Sequence, residues 1–354
     1  MLLTRREFGT LALTAVPAAG LIGKPDSRFG GVQVGIITYS FRALSDGAAD
    51  TLKCCLDCGI SGIELMSNVA ERYAGAPLPA GRGFGPGMPG AGGGQAGAPG
   101  QGVPPLPPGA GAMGRPAGSG RPAPTPEQLE AMRKRAEEMT KWRLSAPMSK
   151  YKEFRRMYEG AGVKIFAFKL PPTLDMSDAE YEYIWNVAET LGANHITMEL
   201  PTDDKLLQRV ADYAAKRKLR IAFHTHGQGG ASGFERVLAA SKYTALNFDV
   251  GHYYGVNGQS PVPLVEQYHD RIASLHLKDR KGPAGAGGGG FPGGGGPNMP
   301  WGQGETPLRD VLQTMKRNKY RFPASIEFEY PTPEGSDVLT EVKKCVQYCK
   351  DALA

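Results

Sequence analysis

Histidine is scarce in this chain, six residues in 354. Two of them nevertheless stand two positions apart in "IAFHTHG" (221–227), and that needs a reason. Other scarcities exclude whole classes of protein. The apolar run from about Gly9 to Ile22 falls short of the ~20 residues that a membrane-spanning helix needs, and no later stretch qualifies, so no stable membrane insertion is expected. The net charge of +6 is spread along the chain. A nucleic-acid partner would need it gathered on one face or helix, so none is expected. Cysteine stops at five (Cys54, Cys55, Cys58, Cys345 and Cys349), an odd number that makes no disulfide framework. Zinc is a formal possibility for them, but their i,i+4 spacing reads better as buried thiols on helix faces. A glycine fingerprint after the first strand, which a dinucleotide-binding sheet requires, is also missing. "GAGGGG" lies in a loop after the seventh strand and opens no helix, so it is a weak phosphate cradle.

Glycine and proline, by contrast, are abundant, 49 and 29 residues. They concentrate in residues 75–125 and 282–300, which cannot bury enough apolar area to offset their ordering entropy and read as disordered or mobile loops. At the start, Arg5 and Arg6 precede Phe8, an apolar stretch and "PAAG". This resembles a twin-arginine export signal over residues 1–24, implying a folded protein delivered to the periplasm or secreted.

Without the two low-complexity segments, the chain alternates regularly. Strand-length apolar runs fall at 32–40, 61–66, 163–170, 195–200, 219–225, 245–251, 272–278 and 324–330. Helical patterns lie between them, such as 46–59, 177–192, 203–218 and 307–319, with a last one at 336–354. Eight strand–helix units predict an α/β protein, a (β/α)8 TIM barrel over residues 30–354 with two Gly/Pro-rich insertions.

The site of such a barrel lies at the C-terminal ends of its strands. Those ends carry Glu64, Glu199, His224 with His226, Asp249 followed by His252, His276 with Lys278 and Asp279, and Glu327 with Glu329. Charges on strands this apolar are costly to bury unless paired or bound to metal. One such residue alone reads as a rim salt bridge. Glu, His, Asp, His and Glu at corresponding ends of five successive strands suit a divalent ion instead (Mn, Mg, Co or Zn).

"NFDVGHYYGVNG", "IASLHLKD", "WGQGE" and "ASIEFEY" resemble the sugar isomerase/epimerase superfamily, the xylose-isomerase-like barrels. The likeness spans residues 32–354 apart from the insertions. It implies a metal set of Glu, Asp, His and Glu, in which Asp249, His276 and Glu327 match. Asp249 and His276 lie 27 residues apart, close to the family habit. The departure is His224, which stands where relatives carry a glutamate. Glu199 on the adjacent strand would restore the carboxylate, giving metal ligands Glu199, Asp249, His276 and Glu327, with His224 as a fifth ligand or a close neighbour of them. Residues two apart share a face, so His224 and His226 both face the mouth, and one would bind metal while the other touches substrate or carries a proton. Catalytic roles fall to His226, Glu199 and Lys278. Lys278 would stabilise a developing enolate oxygen, or merely pair with Asp279 at the rim. Substrate contacts fall to His252, Tyr39, Arg42 and Glu64, the last alternatively pairing with a histidine or within the structure. His195 and His269 read as structural, and Trp301 as part of a pocket cap.

The resemblance implies an isomerase or epimerase of sugars or keto-sugars, abstracting an α-proton through a metal-stabilised enediolate. A symmetrical two-glutamate exchange does not carry over, because one of the pair is missing. The runner-up is a lyase or dehydratase on a keto-sugar or 3-keto-glycoside, which shares the intermediate. A DNA-repair endonuclease would need more ligands and a basic groove. A non-catalytic carbohydrate-binding barrel is the reading from another class. The expected partner is a small sugar, and the oligomeric state stays open.

Overall fold

The computed structural model describes residues 23–78, 125–226, 229–283 and 295–354. The export signal and most of both Gly/Pro-rich segments therefore lie outside the described residues. In chain order the elements are β1 (Arg28–Phe29), β2 (Val32–Ile37), α1 (Ala48–Asp57), β3 (Gly62–Met66), α2 (Ser67–Tyr73), α3 (Pro126–Ser145), α4 (Met148–Gly160), β4 (Lys164–Lys169) and α5 (Asp178–Leu191). They continue with β5 (His195–Glu199), α6 (Asp204–Arg217), β6 (Arg220–His224), α7 (Ala231–Ala239), β7 (Thr244–Asp249), α8 (Val250–Asn257), α9 (Val262–Gln267), β8 (Ile272–Leu277), α10 (Leu308–Asn318), β9 (Ala324–Ile326) and α11 (Val338–Leu353).

Strands β2 to β9 pair in sequence order, all parallel, and β9 returns to β2 in the register Val34↔Ala324 to Ile36↔Ile326. The closed sheet with helices around it is a TIM barrel, as the alternation predicts. Local chemistry sets the element ends. Ser177 and Glu180 form a capping box at the start of α5, and Gly192 takes the left-handed conformation at its end. The short β1 pairs antiparallel with β2, at the N-terminal end of the barrel.

The main apolar core lies between the sheet and the helices, where Trp185, Phe168, Phe223, Phe234 and Phe248 are fully buried. Phe166 stands apart from it. A register shift between Ile63 and Glu64 leaves Phe166 unpaired opposite β3. Its ring stacks on His195 and lies where a Cβ on Gly35 would come within 2.6 Å, so glycine is required there and the ring closes the barrel floor. Above the floor the interior is polar. His195 Nε2 meets Ser274 Oγ at 3.0 Å, Asn247 donates to Ser274 at 2.7 Å and to Glu64 at 3.1 Å, and Thr197 donates to Glu64 at 2.7 Å.

The end of the second Gly/Pro-rich segment is anchored. Gly296 donates to Gly255 O, its own carbonyl accepts from Arg280, and Asn298 bridges to Arg280. No helix among the described residues is long and apolar enough to cross a membrane. All five cysteines are free and buried, which raises the Cys54 thiol to about 11 and that of Cys58 to about 12.

Candidate metal centre

Four strand ends converge on one point. One donor atom each from His224 (β6), Asp249 (β7), His276 (β8) and Glu327, just past β9, lies within 4.8 Å of the others, and all four residues are buried. Hydrogen bonds decide which atoms face inward. Asn247 spends its amide N–H groups on Glu64 and Ser274, so its carbonyl oxygen must accept from His224 Nδ1 at 2.8 Å. Burial holds His224 neutral, far below the ordinary imidazole range. Its Nε2 is thus an unprotonated lone pair, 3.9 Å from Asp249 Oδ2. His276 is turned the other way, with Nε2 on Glu64 at 2.7 Å and Nδ1 on Glu327 at 2.7 Å. Burial alone would lower its pKa, but the charges of Glu64 and Glu327 raise it to about 10. Glu64 in turn is held down to about 2, because the charge and hydrogen bond of His276 outweigh its burial.

These residues fit a divalent cation. Two imidazole nitrogens and two carboxylates suit Zn, Mn or Co, with His276 giving up its Nδ1 proton as the ion enters while Nε2 keeps its bond to Glu64. Asp249 Oδ2 is buried and accepts no hydrogen bond, while Oδ1 takes the backbone N–H of His252 at 2.7 Å. Glu64, reaching His276 directly and His224 through Asn247, supplies the outer hydrogen bonds that orient histidine ligands. A second grouping, His224 with His226 and His252, is equally close in space. Its hydrogen bonds disqualify it. Arg280 meets His252 Nδ1 at 2.7 Å and the Lys278 ammonium meets its Nε2 at 3.0 Å, so both ring nitrogens already face donors and neither is turned free towards an ion.

Glu199 does not join the four donors. Lys169 meets its Oε1 at 2.9 Å and His226 Nε2 meets its Oε2 at 2.7 Å. Burial opposes ionisation, but Lys169 and both histidines keep Glu199 well below the carboxylate range. The same carboxylate raises His226 against its burial. The side chains of this pair are 17% and 22% exposed, whereas those of the four donors are at most 8% exposed. It forms an acid–base couple at the mouth, beside the four-donor cluster.

Lys278 is not paired with Asp279. Asp279 accepts the backbone N–H groups of Gly302, Gly304 and Thr306 and so ties down the "WGQGE" loop. The Lys278 ammonium instead lies 3.0 Å from Asp249 Oδ2, 2.8 Å from Glu327 Oε2 and 2.6 Å from Glu329 Oε2. Of the alternatives for Glu64, a substrate contact or a pairing, the structure shows the pairing: it is fully buried beneath the histidines and bonded to His276. Arg42 lies over the Tyr39 ring and donates to Phe328 O, and Tyr39 feels the charges of Glu329, Glu327 and Lys278. His269 falls just past α9 and stacks on Tyr320. Trp301 packs edge-on against Tyr348 of α11. Lys169, Asn247 and Arg280 are site residues that the sequence reading missed. For Lys169 a signal existed, a charge ending an apolar strand run like those that were noticed.

A family profile described as xylose isomerase-like TIM barrel matches residues 205–348, the stretch that carries all four donors. Over 78 residues, 21% of this chain, the sequence is 32% identical to an inosose dehydratase of Clostridium botulinum (strain Eklund 17B / Type B); the match spans only 26% of that protein. Among solved structures, a xylose isomerase domain protein from Alicyclobacillus acidocaldarius superposes with a TM-score of 0.54 at 14% identity, covering 90% of this chain and 99% of the other. A 3-keto-D-glucoside 4-epimerase from E. coli gives 0.51 at 9% identity, with the same coverage of both chains. At these identities the likeness is one of fold.

Proposed function

We propose that this xylose isomerase-like barrel is a metal-dependent enzyme that moves a proton on the carbon next to the carbonyl of a sugar or keto-sugar. The observation that carries the reading is the juxtaposition of a four-donor cluster with a separate acid–base couple in one barrel mouth. His224, Asp249, His276 and Glu327 would hold the ion. When bound, it would supply Lewis-acid polarisation of the carbonyl and an adjacent hydroxyl. His226 with Glu199 takes the α-proton and returns it, Glu199 holding the ring in place and stabilising its charged form. His252, held between Arg280 and Lys278, lines the pocket beside the couple and suits contact with a substrate oxygen. Return of the proton at the neighbouring carbon, or on the opposite face, makes the protein an isomerase or epimerase.

Elimination is the second reading, and the single acid–base couple favours it. Among the described residues such a couple is seen on one side of the mouth, where a protonated His226 can also donate to a departing hydroxyl. The partial match to an inosose dehydratase points the same way.

Both readings require exchange of the α-proton. Incubation with Mn2+, Co2+, Zn2+ or Mg2+ in D2O, over a panel of ketoses, inososes and 3-keto-glycosides, should place deuterium on the α-carbon of at least one compound. His226→Ala should lower that exchange by about 100-fold or more. Product loss of water selects the lyase reading. No exchange and no turnover with any metal would overturn both.

A further inference from the structure

The metal reading above is the premise here, and Lys278 deepens it. Two of the atoms its ammonium touches, Asp249 Oδ2 and Glu327 Oε2, belong to the residues that would hold the ion. A metal ion sits about 2.0–2.2 Å from a carboxylate oxygen. Two cations cannot share those two oxygens in a buried site without strong repulsion.

We propose that Lys278 is an internal competitor of the divalent ion, so that loading the site drives its ammonium off Asp249 and Glu327 and leaves it anchored on Glu329. Three observations support a side chain placed to move. Its directed hydrogen bond goes to Glu329, at 2.6 Å, whereas Asp249 Oδ2 receives no hydrogen bond at all despite the 3.0 Å approach. The tie to Asp249 is one of charge alone, that to Glu327 adds a contact at 2.8 Å, and the contact with Glu329 is the shortest of the three. His252 supplies the second observation. Arg280 stands 2.7 Å from its Nδ1 and Lys278 Nζ 3.0 Å from its Nε2, yet a neutral imidazole accepts one hydrogen bond only, so one approach is donor against donor and that conflict ends when the ammonium withdraws. The third is Gly251, where any Cβ would overlap Lys278 Cγ and its carbonyl, so the chain leaves room for this lysine to fold inward. Before loading, the ammonium serves as counter-ion to three buried carboxylates.

Calorimetric titration of the metal-stripped full chain with MnCl2 and ZnCl2, alongside its melting temperature, tests this. Lys278→Met should bind the ion at least about 10-fold more tightly than wild type. Its metal-free form should melt lower, and added ion should restore the loss. Glu329→Gln removes the anchor, leaves Lys278 on the ligands, and should weaken binding. In the Lys278→Met/Glu329→Gln double variant that weakening should vanish. Equal or weaker binding by Lys278→Met, while Asp249→Asn still abolishes binding, overturns the competitor role and leaves the metal site standing. If no variant and no wild type binds either ion, the metal reading itself falls, and this proposal with it. Should metal-free Lys278→Met fail to fold, Glu329→Gln carries the test, and an unchanged Kd overturns it.

Discussion

His224 and His276 turn different nitrogens to the same point because Glu64 holds the far side of each, one directly and one through Asn247. A carboxylate with no exposure thus sets two ligand orientations. Glu64→Gln keeps the shape but loses the charge and one acceptor, so divalent-ion affinity should fall by about 10–100-fold in a calorimetric titration. An unchanged affinity would reduce Glu64 to a filler of the barrel. Single residues were unevenly legible in the sequence. The grouping of Asp249, His276 and Glu327 was legible because charge at the end of an apolar strand is costly and the quoted motifs are specific. The place of Glu199 was not, because its oxygens are claimed by Lys169 and His226, and partners across strands are set by side-chain packing that spacing does not encode. Asn247 looks like any polar residue in an apolar run. Its importance comes from the carboxylate 183 positions away.

All eight barrel strands were legible, each within a few residues of its observed bounds, because buried parallel strands are short apolar runs between helices of clear period. The helix α3 was not among the patterns recognised. It has no buried residue and little apolar face, so periodicity says nothing about it. Trp142 sets its ring edge-on against Tyr183, and the other contacts that hold the helix are polar. Thr125 and Gln128 form a capping box with Pro126 at the first position, Thr140 donates to Glu180, and Arg143 pairs with Glu71 at 2.8 Å. Glu71 is wholly buried and also accepts from Tyr183, whose hydroxyl meets that of Tyr151. Arg143→Ala leaves that carboxylate without its cation and should destabilise the protein by about 3 kcal/mol in urea titration. A cost below about 0.5 kcal/mol would show that the tyrosines alone sustain it.

Across the whole molecule, the polar interior makes stability depend on acidity. Burial lowers His195 from 6.5 to about 4, although the charge of Glu64 opposes this. Below pH 6.5 the unfolded chain binds a proton at this residue that the folded chain refuses. Stability is therefore lost as pH falls from about 6.5 towards about 4 and changes no further beneath, with a total on the order of 3 kcal/mol. Urea titrations near pH 7 and about pH 4.5 should show wild type losing more stability than His195→Gln by roughly that amount. Parallel curves would mean that His195 accepts its proton in the fold. The barrel also has a definite polarity. Ser27, beside β1, is bonded to Ser61 and Val34 at the floor, whereas Gly282 and Gly296 frame the second Gly/Pro-rich segment at the opposite rim, against Glu305 and Gly255. Residues preceding the barrel thus join it at the end remote from the acid–base couple. A molecule tethered through that end would keep its acid–base couple turned away from the tether and towards the surroundings.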